Sequence, residues 1–245
     1  MLKLFSKFAL LVFAIFLAPA LLHFGVWAVK DRPGSWHQAD WSSAGILPPA
    51  GEDKPAKVYV LSARTGGLKG AFATHSWLVL KRENATRYDR YDVVGWGRPV
   101  RQNGYDADAR WYSNIPVIEY EASGNRAKAM IPRIVTAIAN YPWQNHGDYT
   151  LWPGPNSNTF VASIIRSVPG FDASTPSTGV GRDYPDNGDW FQLDPNGSLR
   201  VSAGGYAGLV VGLNDGIEIN FLGLVAGINP AKLEIKVPAF GAFSL

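Results

Sequence analysis

The feature that most constrains this chain is an uninterrupted apolar segment near its start. Residues 8–29 form a run of 22 residues without a formal charge, and about 20 apolar residues are enough for a helix to cross the hydrocarbon core of a bilayer. Lys3 and Lys7 precede the run, and Trp27 stands near its far end, where an indole anchors well at the interface. We therefore predict that residues 1–30 are a transmembrane anchor that binds the lipid bilayer through residues 8–29.

A cleaved signal peptide is the alternative for this segment. Ala18 and Ala20 have the small side chains of a cleavage site, but the apolar run continues past Ala20 to Val29, further than a short signal core extends. A short N-terminal tail ahead of a long domain favours a cytoplasmic N-terminus. The expected location is the inner (cytoplasmic) membrane, single-pass, with the C-terminal domain in the periplasm.

The balance of charges argues against nucleic-acid binding by the remainder of the chain. Three of the 23 Lys and Arg residues precede Asp31, whereas all 20 acidic residues lie from Asp31 onward. The exported part is therefore neutral and lacks the basic surface that binds phosphates. The chain has no cysteine, which excludes disulfides, thiolate zinc sites and a cysteine nucleophile.

No cofactor or metal site is expected. Glycine-rich phosphate-binding motifs are missing from the sequence. One loop is rich in acidic residues, but it lacks the alternating ligand spacing and the distal Glu of a calcium-binding loop, so it is read as a solvated turn. Its residues are Asp183, Asp186, Asn187, Gly188 and Asp189.

The pattern after the anchor predicts a linker and then one α+β domain. Residues 31–56 are rich in Pro and Gly and have no periodic apolar pattern, so they are expected to be a linker. Residues 57–245 are expected to form the exported domain, a mostly antiparallel sheet with two or three helices. Strands are predicted at 57–63, 71–81, 88–96, 149–152, 208–213, 217–225 and 233–237, and helices at 124–140 and 157–167.

His75 is the histidine best placed for chemistry, since it lies on a confidently predicted strand with Trp77 on the same side. A histidine on an apolar strand is also a common hydrogen-bonded structural residue, and this alternative stays open. Tyr91 and Asp92 on the next strand are candidates to orient the ring, but they face opposite sides, so only one of them can point at His75.

Ser157 is the candidate nucleophile. It lies in Trp152-Pro153-Gly154-Pro155-Asn156-Ser157-Asn158-Thr159-Phe160, where rigid turn residues lead into a predicted helix. Backbone N–H groups and the positive end of the helix dipole meet at such a position and could hold an oxyanion. The simpler interpretation is that one of the polar side chains is only the N-cap of the helix.

These motifs resemble an uncharacterised bacterial family of membrane-associated proteins, a "domain of unknown function" family. The resemblance rests on Thr74-His75-Ser76-Trp77, the run at 152–160, Val180 to Tyr184, and Glu218 to Leu224. The chain also has a distant likeness to the permuted papain-like enzymes of the lecithin:retinol acyltransferase-like branch, in which a strand histidine precedes an Asn-Cys-x-x-Phe motif. That likeness places Ser157 where the family has its cysteine.

Two functions follow from these observations. The first is a membrane-anchored, non-catalytic binding domain or accessory subunit of a membrane complex, with a membrane protein as partner. The alternative is a serine-dependent hydrolase or acyltransferase of cell-envelope material, with Ser157 as nucleophile and His75 as base. In both cases the side chains expected to contact the ligand are Trp77, Trp152, Asn156 and Asn158.

Overall fold

The N-terminal segment is one long helix. The computed structural model describes residues 2–186 and 188–244. The helix consists of α1 (Leu2–Val12), a π-helical turn (Phe13–Leu17) and α2 (Ala18–Ala28), with a proline in the first turn of α2. Within it, Lys3–Ala28 is apolar enough and long enough to span a membrane. The wide turn lies directly before Pro19, and such insertions are a common way for a helix to accommodate a disruption.

The second half of this helix packs against the rest of the chain along one face. Phe16, Ala20 and Trp27 recur at helical spacing and are buried. The indole Nε1 of Trp27 donates a hydrogen bond of 3.0 Å to the carbonyl oxygen of Gly67. The large apolar side chains on the other faces remain exposed. The helix is thus joined to the rest of the protein by side-chain contacts as well as by the chain itself.

The domain is α+β and its strands are antiparallel, as predicted, but they are divided between two sheets. The first sheet has five strands in the order β4-β3-β2-β1-β5. Each neighbouring pair is antiparallel, and β1 pairs with β2 over its whole length. The strands are β1 (Lys57–Arg64), β2 (Thr74–Lys81), β3 (Asp89–Val93), β4 (Val100–Gln102) and β5 (Val117–Ser123).

Apolar groups cover both faces of the first sheet. On one face, α3 (Gly124–Ala139) and α4 (Ser157–Ser167) pack against alternate strand residues such as Leu78. On the other face lies a second cluster around Trp77, which is completed by Trp41, Ile46 and Leu47. These three residues come from the segment predicted as a linker, so part of that segment covers the sheet. Every residue of β2 is consequently buried.

The second sheet is a meander of seven strands, and each strand pairs with its neighbour in sequence. The predicted strand at 217–225 is interrupted by a turn at Leu222 and Gly223, so this stretch belongs to two strands that pair as a hairpin. The strands are β6 (Phe191–Leu193), β7 (Leu199–Ala203), β8 (Ala207–Gly212), β9 (Gly216–Phe221), β10 (Leu224–Asn229), β11 (Glu234–Val237) and β12 (Gly241–Ser244).

The inner face of the second sheet carries charged side chains. Glu218 contacts both Arg182 and Lys236 within ion-pair distance, and all three are buried. Arg200 Nη1 donates to Asp183 Oδ1 at 2.9 Å. Because buried charges are stable only when they are paired and hydrogen-bonded, this network determines how the second sheet sits on the loop that contains Arg182 and Asp183.

Candidate functional site

The N-terminus of α4 is capped by Asn156. Its side-chain oxygen accepts hydrogen bonds from the backbone N–H groups of Asn158 at 2.9 Å and Thr159 at 3.2 Å. The Thr159 hydroxyl in turn accepts from the Asn156 backbone N–H at 3.1 Å, which completes a capping box. The N-cap interpretation of the sequence is therefore correct for Asn156. Ser157 becomes the first residue of the helix, with its own N–H directed out of the helix end.

Asn158 fastens this helix end to the first sheet. Its side-chain oxygen accepts from the Ser76 hydroxyl at 2.8 Å. Its side-chain nitrogen donates to the carbonyl oxygens of Thr74 at 2.9 Å and Val180 at 2.8 Å. These bonds hold the start of α4 beside the start of β2. Asn156 and Asn158 therefore act mainly as positioning groups at the site.

His75 lies at the start of β2 and is buried, with a carboxylate behind its ring. Its Nε2 lies 3.5 Å from Asp92 Oδ2. The same oxygen accepts a hydrogen bond of 2.9 Å from Arg90 Nη2. Of the two residues considered for orienting His75, the structure brings Asp92 to the ring, because Asp92 shares the sheet face of His75 and Tyr91 points the other way.

Aromatic side chains support the group formed by His75, Asp92 and Arg90. The His75 ring stacks on Trp111, with 3.7 Å between centroids and 6° between planes. The Arg90 guanidinium lies 4.1 Å from the centroid of Trp77. Trp77 is fully buried, and its Nε1 donates to the carbonyl oxygen of Ala107 at 2.8 Å. Trp77 thus supports the site from within the core and is not among the residues that line the cavity.

His75 and Ser157 line the same cavity, which has a volume of about 470 Å³. The cavity lies at the junction of β2, the N-terminus of α4 and the β9–β10 hairpin. Asn156, Asn158 and Trp152 also contribute to its wall, and most of the remaining wall is apolar. The aromatic and aliphatic members of that wall include Phe72, Trp96, Tyr149, Leu151, Leu222 and Leu224. Five of the six site residues predicted from sequence thus line the cavity, and only Trp77 does not.

Three polar atoms at the cavity have no protein partner among residues 2–186 and 188–244. They are the hydroxyl of Ser157, the backbone N–H of Ser157, and the Nδ1 atom of His75. No hydrogen bond joins the His75 ring to the Ser157 hydroxyl within the described part of the chain. A base, a hydroxyl and an oxyanion donor are therefore available to a ligand without breaking protein contacts.

Burial is the main cause of the pKa shift at His75. Removal from water lowers the pKa of the ring below its ordinary value, and the hydrogen bond and charge of Asp92 only partly oppose this. Burial alone would raise the pKa of Asp92, but its hydrogen bond to His75 and the charge of Arg90 hold it below the usual value. His75 is thus a neutral ring beside an ionised carboxylate near pH 7.

Asp183 and Asp186 of the acidic loop have structural roles. Asp186 accepts hydrogen bonds from Arg166 Nε at 3.0 Å and from Nη2 at 2.6 Å. Asp183 pairs with Arg200 in the buried network. Asn187, which belongs to the same loop, lies outside the described residues. Within the described part of the chain, no group of three or more His, Cys, Asp or Glu side chains could hold a metal ion.

Comparison with known proteins gives one match. Residues 55–184 match the model of a family described as "Protein of unknown function (DUF3750)". The match covers the first sheet, α3, α4 and the loop through Tyr184, and it ends before the second sheet. Searches of curated proteins and of solved structures gave no match. The likeness to the papain-like enzymes stays a prediction.

Proposed function

The chain belongs to the DUF3750 family, whose members are of unknown function, and we propose that it is a membrane-anchored, serine-dependent hydrolase or acyltransferase. The observation that carries the proposal is that Ser157 and His75 line one cavity, with Asp92 behind the histidine. In this proposal the anchor holds the domain on the periplasmic side of the inner membrane. The substrate is an ester or amide of the cell envelope that bears an apolar chain.

The proposed reaction is acyl transfer in two steps. The Ser157 hydroxyl attacks the substrate carbonyl while His75 Nδ1 takes its proton, and the leaving alcohol or amine departs with that proton. Water, or an acceptor alcohol, then attacks the acyl-serine. His75 takes the proton of the attacking group and returns one to Ser157. Asp92 holds the ring through Nε2 and stabilises the imidazolium in each step.

The oxyanion would be stabilised at the N-terminus of α4. The Ser157 N–H is free of protein partners in the described chain, and the partial positive charge of the helix end favours a negative oxygen there. Because serine needs a base throughout the attack, the lowered pKa of His75 helps by keeping the ring neutral and able to accept a proton. The mostly apolar wall of the cavity suits an acyl chain.

A second candidate function is the binding of an acyl chain without chemistry, as in an accessory subunit of a membrane complex. It is supported by the lack of a hydrogen bond between His75 and Ser157 in the described chain, and by the stacking that holds the His75 ring against Trp111. In that case His75, Asp92 and Arg90 would be a buried polar cluster that stabilises the end of β2.

A fluorophosphonate probe on the full-length protein in detergent distinguishes the two. We expect the probe to label the wild type and the Ser163→Ala control, since Ser163 lies on α4 but outside the cavity wall. Ser157→Ala should abolish labelling, and His75→Gln should slow it strongly. A wild type that retains a fatty-acyl ligand but is not labelled would favour the binding function. Labelling that survives in Ser157→Ala would exclude the proposed nucleophile.

A further inference from the structure

The outer face of the second sheet is apolar from one edge to the other. We call it the apolar sheet face and define it by the outward side chains of β6 to β12. The strand pairing aligns one residue from every strand in a single row, and each is between 36% and 67% exposed. The row consists of Leu193, Leu199, Val211, Ile217, Ile228, Ile235 and Phe243.

A second row continues the same face. It contains Phe191, Val201, Leu209 and Ile219, all of them more than a third exposed, followed by Ala226. No charged side chain stands on this face in the described strands, because Arg200, Glu218 and Lys236 are buried on the inner face. Glu234 has the same strand parity as Lys236 and lies 3.4 Å from its amine. Soluble monomers rarely expose an apolar surface of this extent without a partner for it.

The face is continuous with the N-terminal helix. A third row of the face contains Ala203, Ala207, Phe221 and Leu224. The ring of Phe221 lies 5.6 Å from the ring of Phe16 in the helix. Phe16 belongs to the segment that is long and apolar enough to span a membrane. A bilayer that surrounds this helix therefore reaches the apolar sheet face without a break in the apolar surface.

We infer that the occupant of the apolar sheet face is the lipid of the bilayer that holds the helix. The face rests about 5–10 Å deep, at the boundary between headgroups and acyl chains, as interfacial apolar surfaces do. The edge strands β6 and β12 stay at headgroup level, since open sheet edges are not tolerated in hydrocarbon. Trp190 and Tyr206 are exposed at the ends of strands, where aromatic side chains favour the interface.

This arrangement brings the cavity close to the membrane. Leu222 and Leu224 line the cavity. Leu222 follows Phe221 in the β9–β10 hairpin, and Leu224 is the cross-strand partner of Phe221. Phe72, on the same cavity wall, stacks on Phe24 of the helix at 5.7 Å. An acyl chain could therefore move from the bilayer to the cavity along apolar side chains. The inference rests on the membrane anchoring proposed above and is independent of the chemistry of Ser157.

The chain has no cysteine, so single-cysteine variants can carry a fluorescent label at chosen positions. The full-length protein would be reconstituted in phosphatidylcholine–phosphatidylglycerol vesicles with an environment-sensitive label at Ile219→Cys on the apolar sheet face. Leu10→Cys on the exposed side of the helix reports the anchor, and Lys128→Cys on the exposed side of α3 is the aqueous control. Each label is titrated with a spin-labelled lipid and with iodide.

We expect spin-labelled lipid to quench the labels at Ile219 and Leu10 severalfold more than the label at Lys128, and iodide to show the reverse order. Quenching of Ile219 by iodide alone would mean a solvated face and would overturn the inference. Protection of Ile219 from both quenchers would overturn it in favour of a protein partner or a second copy. If Leu10 is also inaccessible to the lipid quencher, the membrane anchoring itself is wrong.

Discussion

The five-stranded sheet has apolar side chains packed on both of its faces, whereas the seven-stranded sheet has charged side chains inside and apolar ones outside. In the first sheet, Leu78 and Trp77 are both buried although they point in opposite directions. In the second, Glu218 is buried and its neighbour Ile219 is half exposed. The first sheet is thus the hydrophobic core of the domain, and the second is attached to it through paired charges.

The difference shows that alternation along a strand does not by itself identify the face that points inward. A soluble domain places the apolar face inside because water is outside. When lipid lies outside, the apolar face is equally well placed there, and the inner face can carry an ion network that specifies how the sheet is oriented. Hydrogen-bonded ion pairs require particular donor–acceptor distances and angles, so they constrain relative position more than apolar contacts do.

The largest predicted effect comes from breaking the ion network of the second sheet. Glu218→Gln removes the carboxylate that Arg182 and Lys236 share and leaves Asp183 and Glu234 as their remaining acidic partners. Breaking a buried ion pair in this way costs about 3–5 kcal/mol in the free energy of unfolding. Glu83→Gln, which removes the exposed partner of Lys128, is the matched control and should change stability by less than about 0.5 kcal/mol. Denaturant unfolding in detergent measures both. Equal effects would refute the structural role of the network.

A smaller loss is expected at the junction between the helix end and the first sheet. Asn158→Ala removes the acceptor of the Ser76 hydroxyl and the side-chain donor to the carbonyl oxygen of Thr74, whereas the carbonyl oxygen of Val180 keeps its bond from Asn156. We expect a cost of about 1–3 kcal/mol. Ser157→Ala removes a hydroxyl with no protein partner in the described chain, so its stability should stay within about 0.5 kcal/mol of the wild type. A large loss in Ser157→Ala would show that the hydroxyl has a structural role.

An Ile→Val substitution at one position near each sheet compares how well the two positions are covered by protein. Ile134→Val removes a methyl group from a fully buried position on α3 against the first sheet, which costs about 0.5–1.5 kcal/mol. Ile219→Val removes one from the apolar sheet face, where solvent, detergent or lipid fills the space, so the loss should stay below about 0.5 kcal/mol. Comparable losses at both positions would mean that protein covers the second site.

The smallest effect is a dependence of stability on pH that comes from the first sheet. The pKa of His75 is lowered in the folded state by burial, so the unfolded chain takes up its proton first as the pH falls. The contribution of the neutral His75 ring to the free energy of unfolding should therefore be complete above pH ~6.5. It should decline as the pH falls from there toward the lowered pKa of the folded state.

The His75→Gln variant should lose part of this decline between about pH 7 and 5, whereas His146→Gln, at an exposed histidine, should retain it. Denaturant midpoints measured across that range test the difference. An unchanged decline in His75→Gln would mean that another group is responsible.

Several elements were predictable because their signals are local. The predicted helix at 157–167 coincides with α4, since Asn156 and Thr159 form a capping box and apolar residues follow at helical spacing. β1 and β2 were also found, because their apolar side chains alternate over a long run. The predicted strand at 149–152 is wrong: these residues are bends and loop before the N-cap.

Other elements carry too weak a local signal. β4 and β6 each have three residues, and their pairing depends on neighbours that are distant in sequence. β7 does alternate between apolar and polar residues, but a two-residue period does not show which of the two sets is buried. The environment of the strand decides that. The composition of the second sheet therefore indicated strands without indicating which of their faces is exposed.

Individual residues of the candidate site were predictable from the sequence, whereas the contacts between them were less so. Facing parity on β3 allowed only one of Tyr91 and Asp92 to reach His75, and the structure selects Asp92. Trp111, which stacks on His75, lies between strands in a region without periodicity, so no local pattern pointed to it. Trp77 shares the face of His75, but the segment that includes Trp41 covers that face and separates Trp77 from the cavity.

The contact between the N-terminal helix and the cavity wall has a practical consequence for anyone who expresses this protein. Trp27 donates to Gly67, and Phe24 stacks on Phe72, which is part of the cavity wall. A fragment trimmed to begin after the helix would lose these supports and would expose Gly67–Ala71 to water. Failure of such a fragment to bind or turn over a candidate compound would therefore say little about the intact molecule, and screening should start from the full chain in a lipid nanodisc.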